Sequence, residues 1–349
     1  MRGLGSVSIT IVTYNSAGFI RRCLESVLAQ RYPKAQIIVV DNASTDGTTD
    51  ILERLTDRVT VVFNDRNVGF AAAQNQAIAI SRTQWVLALN PDVLLMPGFI
   101  ATLVAAGESD SGVGTVCGKL LSMSADFRLP PKPYFDSTGV YFTPTLRHFD
   151  RGAGQVDFGQ YERCEYVFGA TGAAALYRRE MIEHISIDGE FYDHDFFVYR
   201  EDADVAWRAQ LFGWTCLYVP AARGYHVRRA KPENRRNLPP VINMHSVKNR
   251  FLLRIKNVTA TLYLRHLFTI SGRDLVVILG CLTREFHSLR AFPAIIRMLR
   301  RQLAKRRHIM LGRCVSDEYM EQWFSFQPVS YPADSVSDKL LQTHGALTR

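Results

Sequence analysis

Val7-Ser8-Ile9-Thr10-Ile11-Val12 runs into the polar triplet Thr13-Tyr14-Asn15, and the same pattern returns three times. Ile37–Val40 precedes Asp41-Asn42, Val59–Phe63 precedes Asn64 to Gly69, and Trp85–Leu89 precedes Asn90-Pro91-Asp92. Short runs rich in Val and Ile suit strands buried on both faces of a parallel sheet. Helical patterns lie between them at Phe19–Gln30, Thr48–Leu55 and Ala71–Ile80, the second preceded by Ser44, Thr45 and Asp46, residues that suit a helix N-cap. The alternation predicts an α/β fold with a doubly wound, mainly parallel sheet. Ligands then bind outside the carboxyl ends of the strands, at a switch in strand order. All four polar clusters should converge on that edge.

Outward from this core the pattern changes. From Gly112 to Leu176 the alternation is lost, and the Pro and Gly residues of 129–133, 139–144 and 152–154 predict loops, hairpins and an irregular extension of the sheet. A helix is expected over Glu201–Phe212, with Val205, Ala209 and Phe212 on one face and Gly213 at its end. Beyond Pro239 and Pro240 the pattern is helical to Arg313, followed by a tail that reads as loosely structured.

With 349 residues, 47% of them hydrophobic, the chain can bury a sizeable core. Its six cysteines stand apart with no Cys-x-x-Cys, which argues against a zinc site or a disulfide framework and for reduced thiols. No charged segment with a long apolar run precedes Val7, so neither a signal peptide nor an N-terminal anchor is expected. Charge is unevenly placed: residues 221–313 hold 21 Lys or Arg against Glu233, Asp274 and Glu285. Such clustering points to an anionic partner, either membrane lipid or nucleic acid. A nicotinamide-dependent oxidoreductase is disfavoured, because Thr13-Tyr14-Asn15 stands where a Gly-x-Gly-x-x-Gly turn would be needed.

Several side chains carry candidate chemistry, each with a plainer alternative. Asp41 can accept hydrogen bonds from a base or ribose, or cap a helix. Asp92 can join phosphate oxygens around a divalent ion, or sit in a solvated turn. His226 can be an imidazole ligand, which suits manganese as well as magnesium, or a structural histidine. Glu201 and Asp202 open a helix, where the macrodipole favours carboxylates in any case, and one of them can act as a general base. Arg208 can orient Asp202, meet a phosphate or reach solvent. Gly172, within Gly169 to Ala173, either lets the backbone approach a sugar or forms a tight turn.

Taken in order, Val7–Asn15, Val39–Gly47, Asn67–Ala71, Leu89–Val93 and Glu201–Arg208 resemble family 2 glycosyltransferases, in particular the rhamnosyltransferase-like branch. The resemblance covers residues 6–257 and includes Lys248-Asn249-Arg250 and Lys256-Asn257. It implies a GT-A fold and direct inversion, with donor contacts at Thr13, Tyr14, Asn15, Asp41, Asn67, Gly69, Asn75, Asn90 and Asp92. It further implies Mg²⁺ or Mn²⁺ held by Asp92 and His226, Asp202 as base, and Glu201, Arg208 and Gly172 toward acceptor or phosphate. Asn90 departs from the two-acid form of the family motif, and a degenerate nucleotide-sugar-binding or scaffolding protein is the competing reading. On this basis residues 1–238 form the catalytic domain (1–110 the nucleotide half, 111–238 the acceptor half), 239–313 a basic helical extension and 314–349 a tail. The expected partners are a nucleotide-diphosphate sugar, with dTDP-rhamnose the leading donor, and a saccharide acceptor, lipid-linked in the leading reading.

In the basic extension, Arg265, His266, Arg273 and Asp274 interrupt the apolar residues 258–283, which makes a spanning helix a poor fit. From Arg284 to Arg313, Phe286, Leu289, Phe292, Ile296 and Leu299 alternate with nine Lys or Arg, as expected of a helix lying on an anionic membrane. Packing on the catalytic domain is the second reading and nucleic acid the weakest. A lipid-linked diphosphate could meet Arg228, Arg229, Lys231, Arg235 or Arg236, which places the chain in the cytoplasm at the inner face of the cell membrane.

Overall fold

The computed structural model describes residues 5–30, 32–228, 239–324 and the backbone of 329–330. Its first half follows the alternation: β1 Val7–Thr13, α1 Ala17–Leu28, β2 Ala35–Asp41, α2 Thr48–Glu53, β3 Thr60–Phe63, α3 Phe70–Ile80 and β4 Trp85–Leu89. Every residue of β1 and β4 is buried, because helices cover both faces, and this is why the strands carry unbroken apolar runs. β1 pairs in parallel with β2 and β4, and β2 with β3, giving the order β3-β2-β1-β4. The strand order therefore switches between β1 and β4, and the polar residues that end these strands share one edge.

The region from Gly112 is more regular than its sequence predicts. After β5 (Val93–Leu95) and α4 (Phe99–Glu108), β6 (Val113–Ser122) enters the main sheet with nearly every residue buried. Short strands β7 (Phe135–Ser137), β8 (Val140–Phe142), β9 (His148–Asp150) and β10 (Glu165–Val167) follow. β11 (Ala174–Arg178) lies antiparallel between β4 and β6; α5 (Arg179–Ile185), α6 (Glu201–Leu211) and β12 (Thr215–His226) come next, β12 running parallel to β6.

Helices α7 (Pro240–Asn257), α8 (Ala260–Arg265), α9 (Leu267–Thr283), α10 (Ala291–Gly312) and α11 (Asp317–Glu321) follow, and the short strand Val329–Ser330 pairs antiparallel with β10. Pro240 sits in the first turn of α7, where a missing N–H costs nothing. α7 and α10 pack into the protein: Leu252, Leu253 and Ile309 join the core cluster that holds Phe142, Trp207 and Tyr218. The start of the expected tail is ordered in the same way. Ser316 caps α11, and Met320 and Trp323 close over that core. Among the described residues no helix is long and apolar enough to cross a membrane.

Candidate functional site

At the ends of β1 and β2 the Thr13 hydroxyl donates to Asp41 (2.6 Å), and the Ser44 hydroxyl and backbone N–H donate to the same carboxylate (2.6 and 2.9 Å). Asn15 is fixed in turn: its N–H donates to the Ser44 hydroxyl, and its amide oxygen accepts from the Thr45 N–H at 2.8 Å. Asp41 is buried, so it ties the two strand ends together, while Tyr14 stands 50% exposed at the mouth. Of the three expected cap residues only Asp46 serves helix ends, accepting from the backbone N–H of Thr48 and of Ala17 at the start of α1.

Four residues expected on the donor side make contacts within the protein. Asn67 accepts from the Gly69 N–H (2.9 Å) and shapes a turn. Gly69, at φ +89°, is needed because a Cβ would lie 2.5 Å from the Phe197 ring, so the close approach it permits is that of Phe197. Asn75 is occupied at both ends of its amide, donating to the Tyr192 carbonyl (2.6 Å) and accepting from the Tyr192 N–H (2.9 Å). Asn90 is anchored through its backbone N–H to the Ala173 carbonyl.

Antiparallel pairing of β5 with β12 sets Val93 opposite His226 and brings Asp92 alongside: His226 Nε2 lies 3.4 Å from an Asp92 oxygen. On the other side His226 Nδ1 meets Asp136 at 2.7 Å, and Arg228 bridges Asp136 and Asp150, both at 2.7 Å. Burial opposes charge on His226, but Asp136 and then Asp92 outweigh it and hold the imidazole up to about 10. Burial pushes Asp136 up, yet His226 and Arg228 bring it below the usual carboxylate range. One carboxylate and one imidazole, the latter oriented by a second carboxylate, are a donor set that fits a divalent ion whose remaining positions go to phosphate oxygens and water. Asp136 escaped the sequence reading, since only the pairing of β7 with β6 brings it to a histidine 90 positions away.

Within electrostatic reach of Asp150 and Arg228, α6 begins. It is buried all round between sheet and C-terminal helices, and of its eleven residues only Asp202 retains exposure. One Asp202 oxygen accepts from the Gly172 N–H (2.9 Å) and the other from the Ala203 N–H (2.7 Å). Burial raises the Asp202 pKa, the Gly172 N–H works against the rise, and the Asp150 charge adds to it. Glu201, expected toward acceptor, turns inward and is buried; desolvation and then the neighbouring Asp202 push it up to about 8. The two carboxylates thus differ, with Asp202 partly exposed and Glu201 held in its neutral form. Gly172 is tight against Asp202, its added Cβ falling 3.3 Å from the aspartate's own.

Arg208 does not reach solvent and is turned into the core. It is 1% exposed, paired with Asp204 at 3.0 Å, and donates to the carbonyls of Ile185 and Phe191. Asp204 also receives Lys256 (2.9 Å) and Asn257 (2.7 Å) from α7. The segment leading into α6 is strained: Phe197, Tyr199 and Arg200 all have φ between 64 and 70°. Each such residue costs on the order of 1–3 kcal/mol, which surrounding bonds must offset. Of the five basic residues expected near an acceptor diphosphate, Arg228 is committed to Asp136 and Asp150; Arg229, Lys231, Arg235 and Arg236 lie outside the described residues.

The family model described as Glycosyl transferase family 2 matches residues 8–186. TuaG, named for teichuronic acid biosynthesis in Bacillus subtilis, is 38% identical over 89 residues, 25% of this chain and 35% of that protein. Succinoglycan biosynthesis protein ExoO of Rhizobium meliloti is 32% identical over 104 residues, 30% of each chain. Poly-beta-1,6-N-acetyl-D-glucosamine synthase of Staphylococcus aureus is 22% identical over 232 residues, 63% of this chain and 49% of that protein. The chain thus spans about a third of the first two relatives and half of the third. Among solved structures, GalNAc-T7 with UDP, GalNAc and Mn²⁺ superposes with a TM-score of 0.58 at 15% identity, over 73% of this chain and 48% of that one. Mannosyltransferase PcManGT from Pyrobaculum calidifontis, in complex with GDP-Man and Mn²⁺, does so at 0.51 and 18%, over 89% and 86%. These likenesses show the GT-A fold.

Proposed function

Since this chain belongs to glycosyl transferase family 2, we propose that it transfers a sugar with inversion from a nucleotide diphosphate to a saccharide hydroxyl, in polysaccharide synthesis. The observation that carries this reading is Asp202, the one open residue of an otherwise buried helix, held by the Gly172 N–H at the edge where the strand ends meet. An accessible carboxylate with a raised pKa suits a general base. Asp202 takes the proton of the acceptor hydroxyl as that oxygen attacks the anomeric carbon, and the nucleotide diphosphate leaves from the opposite face. One displacement gives inversion with no covalent sugar–enzyme intermediate. Tyr14, Asn15 and the Asp41 cluster bind the nucleotide end in this reading, with Asn90 and Asp92 toward sugar and diphosphate. Asp92 and His226 would hold Mn²⁺ or Mg²⁺, which when bound offsets charge on the leaving diphosphate.

Rhamnose from dTDP-rhamnose is the leading donor and a lipid-linked saccharide the leading acceptor. The division at residues 238 and 313 belongs to the same proposal, with 239–313 resting on an anionic membrane. What supports a membrane is a basic region whose exposed side chains include Phe268, Phe286 and Ile296. The test is turnover across a panel of nucleotide sugars, with and without Mn²⁺ or Mg²⁺, for wild type and Asp202→Asn. Metal-dependent transfer that falls by about 10²–10⁴ in the variant, with donor affinity kept, is the expected result. Equal turnover in the two proteins would overturn the assignment of the base.

A further inference from the structure

The two Lys-Asn pairs of α7 bond to residues on either side of Asp202 in the chain. Asn249 is fully buried, and its amide nitrogen lies 2.8, 2.9 and 2.7 Å from the carbonyl oxygens of Phe196, Val198 and Tyr199. Its neighbour Lys248 donates to the Asp195 carbonyl, and Arg200 donates back to the Ser246 carbonyl of α7 at 3.1 Å. Left-handed backbone at Phe197, Tyr199 and Arg200 turns these carbonyls inward. The Phe196 carbonyl also accepts from the Val198 N–H, so without Asn249 this bundle of inward carbonyls loses the one side chain that ties three of them to α7, a loss that favours a change of shape.

That shape serves two ends of the site at once. Phe197 stacks on His245 of α7 (ring centroids 4.8 Å apart), lies over Gly69, and accepts from the Ala71 N–H at the start of α3. Two residues after Arg200 comes Asp202 with its bond to Gly172. We propose that Asn249 is a positioning residue for transfer: by holding the carbonyls of residues 196–199 it fits the donor-side loop at Gly69 and the carboxylate of Asp202 to one another. This rests on the reading of Asp202 as base. Asn249 itself, fully buried, meets no substrate.

The test uses Asn249→Ser, which keeps a hydroxyl donor, and Asn249→Ala, each in the full chain, with donor affinity by calorimetry as the measure of folded sites. Misplacing a reacting group by about 1 Å can cost about 10²-fold. The expected result is a kcat per folded site lowered about 10- to 100-fold, with Ser less affected than Ala and donor Kd within about twofold. The acid limb of the kcat–pH profile should also move up, because Asp202 loses the Gly172 N–H while Glu201, Asp150, Arg228, Tyr177 and Tyr192 still face it. A merely structural role would remove folded sites without moving that limb. Unchanged kcat and limb in whichever variant folds overturns the proposal while leaving the base assignment standing, provided Asp202→Asn is inactive. An active Asp202→Asn removes both.

Discussion

Glu201 and Asp202 are consecutive carboxylates with opposite fates, and the difference lies in solvent and partners alone. Asp202 keeps exposure and two backbone N–H donors; Glu201 is buried, and one of its oxygens has no hydrogen-bond partner among the described residues. Burial lifts Glu201 from its ordinary 4.5 to about 8. The folded protein therefore keeps this proton over a range in which the unfolded chain has released it. Stability is lost as pH rises from the unfolded value through the folded one. Glu201→Gln, which cannot ionise, should leave the thermal midpoint unchanged at pH 4 and raise it at pH 8. The gain is on the order of 2–4 kcal/mol, at about 1.4 kcal/mol per pKa unit. Thermal unfolding of both proteins at the two pH values checks this, and a gain at pH 4 as large as at pH 8 would contradict it.

At the scale of elements, the strands and their polar ends were legible because burial on both faces leaves only apolar side chains, and the chain must turn polar where it leaves the sheet. The β4 limits agree with those read from sequence, and β1 differs by the inclusion of Thr13. Helix α6 was legible in extent but not in environment, since burial on every side puts Asp204 and Arg208 in the core, where charged residues are not expected. Asp204 finds Lys256 and Asn257 on α7, about 50 positions on, and Arg208 the carbonyls of Ile185 and Phe191, distances that no local pattern reports. The same holds for Asp136, whose role depends on the β6–β7 pairing, and for Asn75, whose partner Tyr192 is 117 positions away. Lys256 is the key to the buried group, donating to both Asp193 (2.6 Å) and Asp204 (2.9 Å) with no exposure of its own. Removing one partner of a buried ion pair leaves uncompensated charge, so Lys256→Met should cost about 3–5 kcal/mol in denaturant unfolding. By contrast Arg128→Ala, which breaks the exposed pair with Asp126, should cost under about 1 kcal/mol. Comparable losses in the two variants would show that the buried network does not hold α6 to α7.

Over the whole molecule, the excess of positive charge in residues 221–313 divides between two uses. Part of it is internal: Lys248, Lys256 and Lys305 neutralise or cap acidic and carbonyl groups of residues 190–204, and Gln302 on α10 is buried against Asp193 and Asp195. Arg284, Arg290, Arg297, Arg300 and Arg307 face outward, beside apolar side chains that no described residue covers. On α9, Phe268, Leu275, Leu279 and Leu282 recur at helical spacing and are 47 to 90% exposed, and on α10 Ile296, Leu299 and Leu303 do the same at 38 to 73%. Deleting 284–313 would remove the buried Gln302 and Lys305 along with the outer face, so it cannot separate folding from binding. Point changes on the outer face can. Each apolar side chain buried in a bilayer contributes about 1.5–3 kcal/mol. The triple variant Phe268→Ser, Phe286→Ser, Ile296→Ser should therefore weaken flotation with anionic vesicles by more than about 10²-fold, with its melting temperature essentially kept. Wild-type binding should also weaken as salt is raised, since the basic side chains supply part of the attraction. Vesicle binding that survives the triple change would assign these residues to another partner.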